Sequence, residues 1–215
     1  MATQPASWLT PQEYLTRERR AMTKSEYLNG EVFAMAGASK EHNLITVNIA
    51  ASLHGQLRRR PCTVYANDMR VKVRPSGLYT YPDVVVVCGQ AEFEDEQVDT
   101  LLNPTLLIEV LSDSTEAYDR GRKFDHYRAL ASLQEYLLVT SQAAAVDQFV
   151  RQPDGRWLLT AYRGSGAVVN SAAIDCRLPL AEIYDKVDLP DADDRATILT
   201  VLKEPEPAYM LPRPG

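Results

Sequence analysis

Three apolar runs in the middle of the chain constrain its fold more than anything else: VVVV at residues 84–87, LLIEVL at 106–111 and EYLLVT at 135–140. Short, unbroken runs of this kind read as strands buried on both faces. Between the second and third lies DRGRKFDHYRALASL, which reads as helical from about Asp119. A helical crossover of that length makes 104–112 and 135–140 parallel neighbours. The expected fold is therefore α/β, a mixed central sheet flanked by helices. In the first two runs, an acid stands where burial forbids an unpaired charge. YPDVVVVC opens on Asp83, and PTLLIEVLS holds Glu109 at its centre.

The rest of the chain supplies local signals. Thr10-Pro11-Gln12-Glu13 has the form of a capping box with proline at the first helical position. Asn29-Gly30 is a hairpin turn signal between two short strands, with Glu31 directly after it. Ser39 can cap a long helix whose Ile45, Ile49, Leu53 and Leu57 share one face, ending at Arg58-Arg59-Arg60 before Pro61. In MRVKVRP, alternation points Met69, Val71 and Val73 inward and Arg70, Lys72 and Arg74 outward. Residues 91–99, AEFEDEQVD, read as a solvated acidic loop. VDQFVR and RWLLTAYR flank Pro153-Asp154-Gly155 as a hairpin, and a short helix is expected around Leu180 to Asp185. The chain divides into an N-terminal helix and tail (1–24), one domain (25–188), and an acidic, proline-rich C-terminal tail (189–215).

A net charge of -6 excludes a general polyanion-binding surface, so any nucleic-acid contact must be local. Cys62, Cys88 and Cys176 lack paired metal-ligand spacing, and Cys88, at the end of the valine run, reads as a small core residue. The N-terminus has no secretory pattern, and no apolar run approaches the ~20 residues that span a bilayer. The expectation is a cytoplasmic protein without a membrane segment.

A strand-start Asp and a mid-strand Glu on adjacent strands place two carboxylates side by side. Like charges raise each other's pKa, and burial adds to this. A cation between them removes the conflict, and hard oxygen ligands suit Mg²⁺ or Mn²⁺. The alternative is that Asp83 caps a strand end beside Pro82 and Glu109 pairs with an arginine. Lys123, in the first turns of the following helix, can reach the same space, with Tyr127 one turn on.

YLNGEVFAMAGASKEHN, YPD, IEVLS and GRKFDHY together resemble the PD-(D/E)xK restriction-endonuclease-like superfamily. More narrowly they are similar to its Uma-two family, from about Ser25 to Asp188. The resemblance implies a restriction-endonuclease-like fold with additional β-hairpins, and a metal-dependent endonuclease acting on DNA. It implies metal binding by Asp83, Glu109 and the backbone carbonyl of Val110. It gives catalytic roles to Asp83, Glu109 and Lys123, and positions Glu31, His42 and Tyr127 around them. Leu111 stands where the superfamily's usual lysine follows the Glu, so Lys123 must reach the same point from a helix.

Other readings are weaker. His54 reads as surface, three dispersed histidines make no zinc site, and no serine elbow or phosphate-binding glycine loop is present. The basic clusters at Arg58–Arg60, at Arg70, Lys72 and Arg74, and at Arg120, Arg122 and Lys123 could flank a phosphate backbone, yet each taken alone reads as a solvated face. A nuclease-like scaffold that binds DNA or a protein without cutting is the second hypothesis, motivated by the acidic charge and displaced lysine. Double-strand cleavage calls for two sites, so a homodimer is expected, through the hairpin at 146–163 or the C-terminal tail.

Overall fold

The structure, a computed structural model, describes residues 8–112 and 116–189. In chain order the elements are α1 (Pro11–Glu18), β1 (Ser25–Leu28), β2 (Glu31–Ala34), α2 (Lys40–Leu57), β3 (Cys62–Ala66), β4 (Arg70–Val73), β5 (Leu78–Thr80), β6 (Val84–Cys88), β7 (Thr100–Leu101) and β8 (Leu106–Leu111). There follow α3 (Glu116–Tyr118), a π-helical turn (Asp119–Lys123), α4 (Phe124–Tyr127), β9 (Glu135–Thr140), β10 (Ala145–Arg151), β11 (Trp157–Arg163), β12 (Val168–Ser171), β13 (Cys176–Pro179) and α5 (Leu180–Ile183).

The three apolar runs are β6, β8 and β9, and they form the middle of a six-stranded sheet in the order β11-β10-β9-β8-β6-β3. β8 and β9 are parallel, as their helical crossover requires, while β6 runs antiparallel to β8. Both faces of this sheet are covered, which explains the unbroken valines. On one face Val84, Val86, Ile108 and Val139 pack against Ile45, Ile49 and Leu53 of α2. On the other, Val85, Leu107, Leu111 and Leu138 meet Val71, Val73 and Leu78 of a second, five-stranded sheet, ordered β2-β1-β5-β4-β7. The fold is mixed α/β with few helices, and the layer between the two sheets is where Glu109 of β8 points.

Local chemistry sets the boundaries as expected at several places. Thr10 accepts from the Glu13 backbone while the Glu13 carboxylate accepts from Thr10 N–H, closing the capping box of α1. Ser39 accepts from His42 N–H at the start of α2. Asn29 and Gly30 both take positive φ, 48° and 95°, the conformation that a two-residue turn between β1 and β2 demands.

Three expectations are corrected. Arg70 does not face solvent: it is buried, donating to Tyr81 Oη and Thr100 Oγ1. The acidic loop is not merely solvated, because it folds over that sheet. Asp95 and Asp99 hold Arg19 at 2.8 Å each, and Glu94 accepts from Tyr79 Oη and Lys72. Cys88 is not an isolated core residue. It is the cross-strand partner of Cys62 in the β3–β6 ladder and is disulfide-bonded to it, leaving Cys176 as the free cysteine among the described residues. A bond of this kind persists in oxidising compartments and is reduced in the cytosol. The β12–β13 hairpin had no anticipating signal. The tail beyond Leu189, including its expected proline-rich segment, lies outside the described residues.

Candidate active site

Asp83 immediately precedes β6, whose Val84 stands opposite Ile108. Continuing that antiparallel register sets Asp83 opposite Glu109, so both carboxylates project from the same face, into the layer between the sheets. Asp83 also has a structural task. The β6 ladder ends at Val84, and the Asp83 carboxylate takes its place by accepting from Val110 N–H at 2.7 Å. Its Oδ2 additionally lies 3.2 Å from His42 Nε2. The strand-start acid therefore caps an open ladder position, as the structural reading of it expected, and also stands opposite a second acid.

Glu109 is buried. It accepts from Tyr127 Oη at 2.7 Å and lies 3.0 Å from Lys123 Nζ. Lys123 is itself buried and meets two further carboxylates, Glu26 at 3.1 Å and Asp119 at 3.4 Å. Asp119 and Lys123 stand four residues apart in the π-helical turn, the spacing that brings two helical side chains to one face, and both are buried. π-turns add a residue to the helical repeat and are concentrated at functional positions. Thr80 and Tyr118 hydroxyls donate to Glu26 from above.

The charges are in conflict. Burial acts against the Lys123 ammonium, but Glu109, Glu26 and Asp119 hold it protonated well above the usual lysine range. Burial pushes Glu109 up to about 8, and nearby Asp119 and Asp83 add to that, despite Lys123 and the Tyr127 hydrogen bond. For His42, burial opposes the charged form. The hydrogen bond and charge of Asp83, helped by the Val110 backbone carbonyl, outweigh it and raise the imidazole pKa above the ordinary 6.5. His42 Nδ1 is buried without a hydrogen-bond partner.

Of the residues predicted from sequence, Asp83, Glu109, Val110, Lys123, His42 and Tyr127 come together. Glu31 does not. It lies exposed on β2, opposite Leu28, two pairs further along the hairpin than the acid that does reach Lys123, Glu26. Glu26 was missed because it stands among polar residues at a strand start. Its burial, and its neighbour Thr80, come only from packing β1 against β5 and the second sheet. Asp119 was likewise placed in a helix without an assigned direction.

The oxygen donors Asp83, Glu109 and the Val110 carbonyl are chemically suited to a hard divalent cation. Among the described residues, however, no three His, Cys, Asp or Glu side chains converge as a ready-made metal cage. His42 instead holds the Asp83 and Val110 oxygens.

The family model described as "Putative restriction endonuclease", Uma2, matches residues 11–181. The chain belongs to this family. Two relatives from Synechocystis are similar over 161 residues, 75% of this chain. "Uncharacterized protein sll1609" is 38% identical with 91% of its length covered, and "Uncharacterized protein slr1290" is 39% identical with 84% covered. A crystal structure from Anabaena variabilis, described as a "putative nuclease belonging to DUF820", superposes with a TM-score of 0.66. It is 16% identical and covers 82% of this chain and 97% of its own, which establishes the shared fold.

Two predictions follow from the electrostatics of this Uma2 site without metal. Asp83→Asn keeps an oxygen for Val110 N–H but removes the charge facing His42. A histidine whose pKa rises on folding gives its full stabilisation below the unfolded value and loses it as pH climbs through the folded one. In EDTA, the melting-temperature gap between parent and Asp83→Asn is expected to be widest below about pH 6 and to shrink in alkali. A gap that does not change with pH would remove the His42–Asp83 pair from the account. Glu109 has the opposite sense, because an acid whose pKa is raised by folding costs stability as pH rises from 4.5 towards about 8. Glu109→Gln should therefore melt higher than the parent at alkaline pH, by about 2–4 °C for each kcal/mol relieved. A lower melting temperature there would mean the charged Glu109–Lys123 pair is a net stabiliser.

Proposed function

We propose that this Uma2 protein is a metal-dependent nuclease that hydrolyses phosphodiester bonds in DNA. The observation that carries the reading is the juxtaposition of Asp83 and Glu109 across the β6–β8 ladder, with buried Lys123 against Glu109. Asp83, Glu109 and the Val110 carbonyl would hold Mg²⁺ or Mn²⁺, with His42 exchanged off the two oxygens it now contacts. When bound, such a cation neutralises phosphate charge and makes water more acidic. Three carboxylates around one ammonium leave excess negative charge in a dry site, which favours uptake of a cation.

Lys123 is not a base, since its neighbours hold it protonated. Its role is to fix Glu109 and Glu26 in place and to present positive charge toward the pentavalent transition state. Tyr127, whose hydroxyl is kept protonated by burial, donates to Glu109 and sets its orientation. His42, beside Asp83 at the more open side of the cluster, can donate a proton to the phosphate or the departing oxygen. The scaffold alternative draws on the absence of a converged cage among the described residues.

Thermal shift beside a cleavage assay separates the two. At a free metal concentration 100 times the dissociation constant, linkage raises stability by about 2.7 kcal/mol. The parent should show this shift with Mn²⁺ or Mg²⁺ and Asp83→Asn should not. Lys123→Ala should keep the shift while losing cleavage. A parent that binds DNA but shows neither metal shift nor cutting is the scaffold.

Two copies of the chain would cut both strands of a duplex. The surface we assign to their contact is β11, the sheet-edge strand whose Leu158 and Leu159 are 56% and 52% exposed. An unpaired apolar edge strand invites pairing with another chain. Light scattering at micromolar concentration is expected to give a dimer mass that Leu158→Lys halves; a monomeric parent would rule the assembly out.

A further inference from the structure

β2 is the outer strand of the five-stranded sheet, and its side chains are exposed throughout. Within the β1–β2 ladder Phe33 stands directly opposite Glu26. Opposed residues of an antiparallel pair share a face, with Cβ atoms about 4.5–5.5 Å apart. Phe33 therefore lies on the face that carries Glu26 to Lys123, one strand outward, at the rim of the acid cluster. It is 48% exposed, whereas Tyr27, Tyr79 and Tyr81 in the same region are 4%, 0% and 6% exposed. From Phe33 the chain runs through exposed Ala36, Gly37 and Ala38 directly to the first turn of α2, where His42 meets Asp83.

The local charge says what such a rim can take. Glu26, Asp83, Glu109 and Asp119 outnumber Lys123 and His42, and β2 itself carries Glu31 but no lysine or arginine. Coulomb attraction does not draw a phosphate backbone onto this strand. A nucleobase is different, since stacking on an aromatic ring needs no charge and tolerates any base. The ring can reach a base face only where that face is not already covered by duplex neighbours.

We propose that Phe33 is a substrate-contacting residue that stacks on an unpaired nucleobase beside the scissile phosphodiester, so that the site takes single-stranded or locally opened DNA. The inference rests on the nuclease reading above and adds the form of the substrate.

The test uses the full chain carrying Asp83→Asn, so that bound DNA is not cut, and a short single strand containing 2-aminopurine. Its fluorescence should be quenched on binding, as stacking on Phe33 requires. Adding Phe33→Ala should abolish the quenching and weaken affinity about 5- to 150-fold, the range measured for single base–aromatic stacks. Phe33→Trp should restore both, which a purely structural residue would not do. The same sequence as a blunt duplex should bind less tightly and be insensitive to Phe33→Ala. Single-strand binding that Phe33→Ala leaves unchanged overturns the stacking role and leaves the nuclease reading standing. Failure of the parent, with Mn²⁺ or Mg²⁺ present, to bind any oligonucleotide overturns the nuclease reading, and the stacking role with it. A dimer mass that falls to a monomer on Phe33→Ala would show that a second copy covers the ring, and would also overturn the proposal.

Discussion

A buried ammonium decides how this molecule is assembled. Lys123 takes its three carboxylate partners from three places: Glu26 on β1 of one sheet, Glu109 on β8 of the other, and Asp119 one turn back in its own segment. Taking a lysine out of water costs several kcal/mol unless it is closely paired. The contacts therefore do more than fill space, because each sheet must lie where its acid reaches the same nitrogen. Removing any one partner leaves the others, but moving either sheet would strand a charge.

The same arrangement overcompensates. One cation among three acids leaves the site short of positive charge, and burial then raises the Glu109 carboxyl to about 8. His42, reaching round from the start of α2, relieves Asp83 in the same way at the neighbouring ladder position. Both are responses of a buried cluster crowded with carboxylates, where an unpaired anion is expensive and the protonated form is favoured.

Backbone irregularities sit where this cluster needs them. The β6 ladder stops one residue early, and the Asp83 side chain replaces the missing strand partner of Val110. The helix between β8 and β9 passes through a π-turn over Asp119–Lys123, and the charged residues at both ends of that turn are buried. Regular structure supplies the frame, and departures from it supply the aim of the side chains.

Much of the frame was readable from residues alone. Unbroken valines and leucines fit a doubly covered sheet, and the four-residue recurrence of Ile45, Ile49, Leu53 and Leu57 fits a helix lying on it. Strict alternation along β8 settled that Glu109 shares a face with Leu107 and Leu111, and a helical connection made β8 and β9 parallel. Lys123, Tyr127 and His42 were legible through motif resemblance, because no local pattern tells a buried lysine from a solvated one. What packing decided was everything that depends on register or on the separation of layers. Cys62 meets Cys88 because the β3–β6 ladder sets them opposite, and Arg70 is buried because an acidic loop folds over it. Glu26 joins the cluster while Glu31 stays outside it, though the hairpin puts both on one face. Alternation fixes the side of a sheet on which a residue lies; only the approach of the second sheet fixes which of two acids on that side meets the lysine.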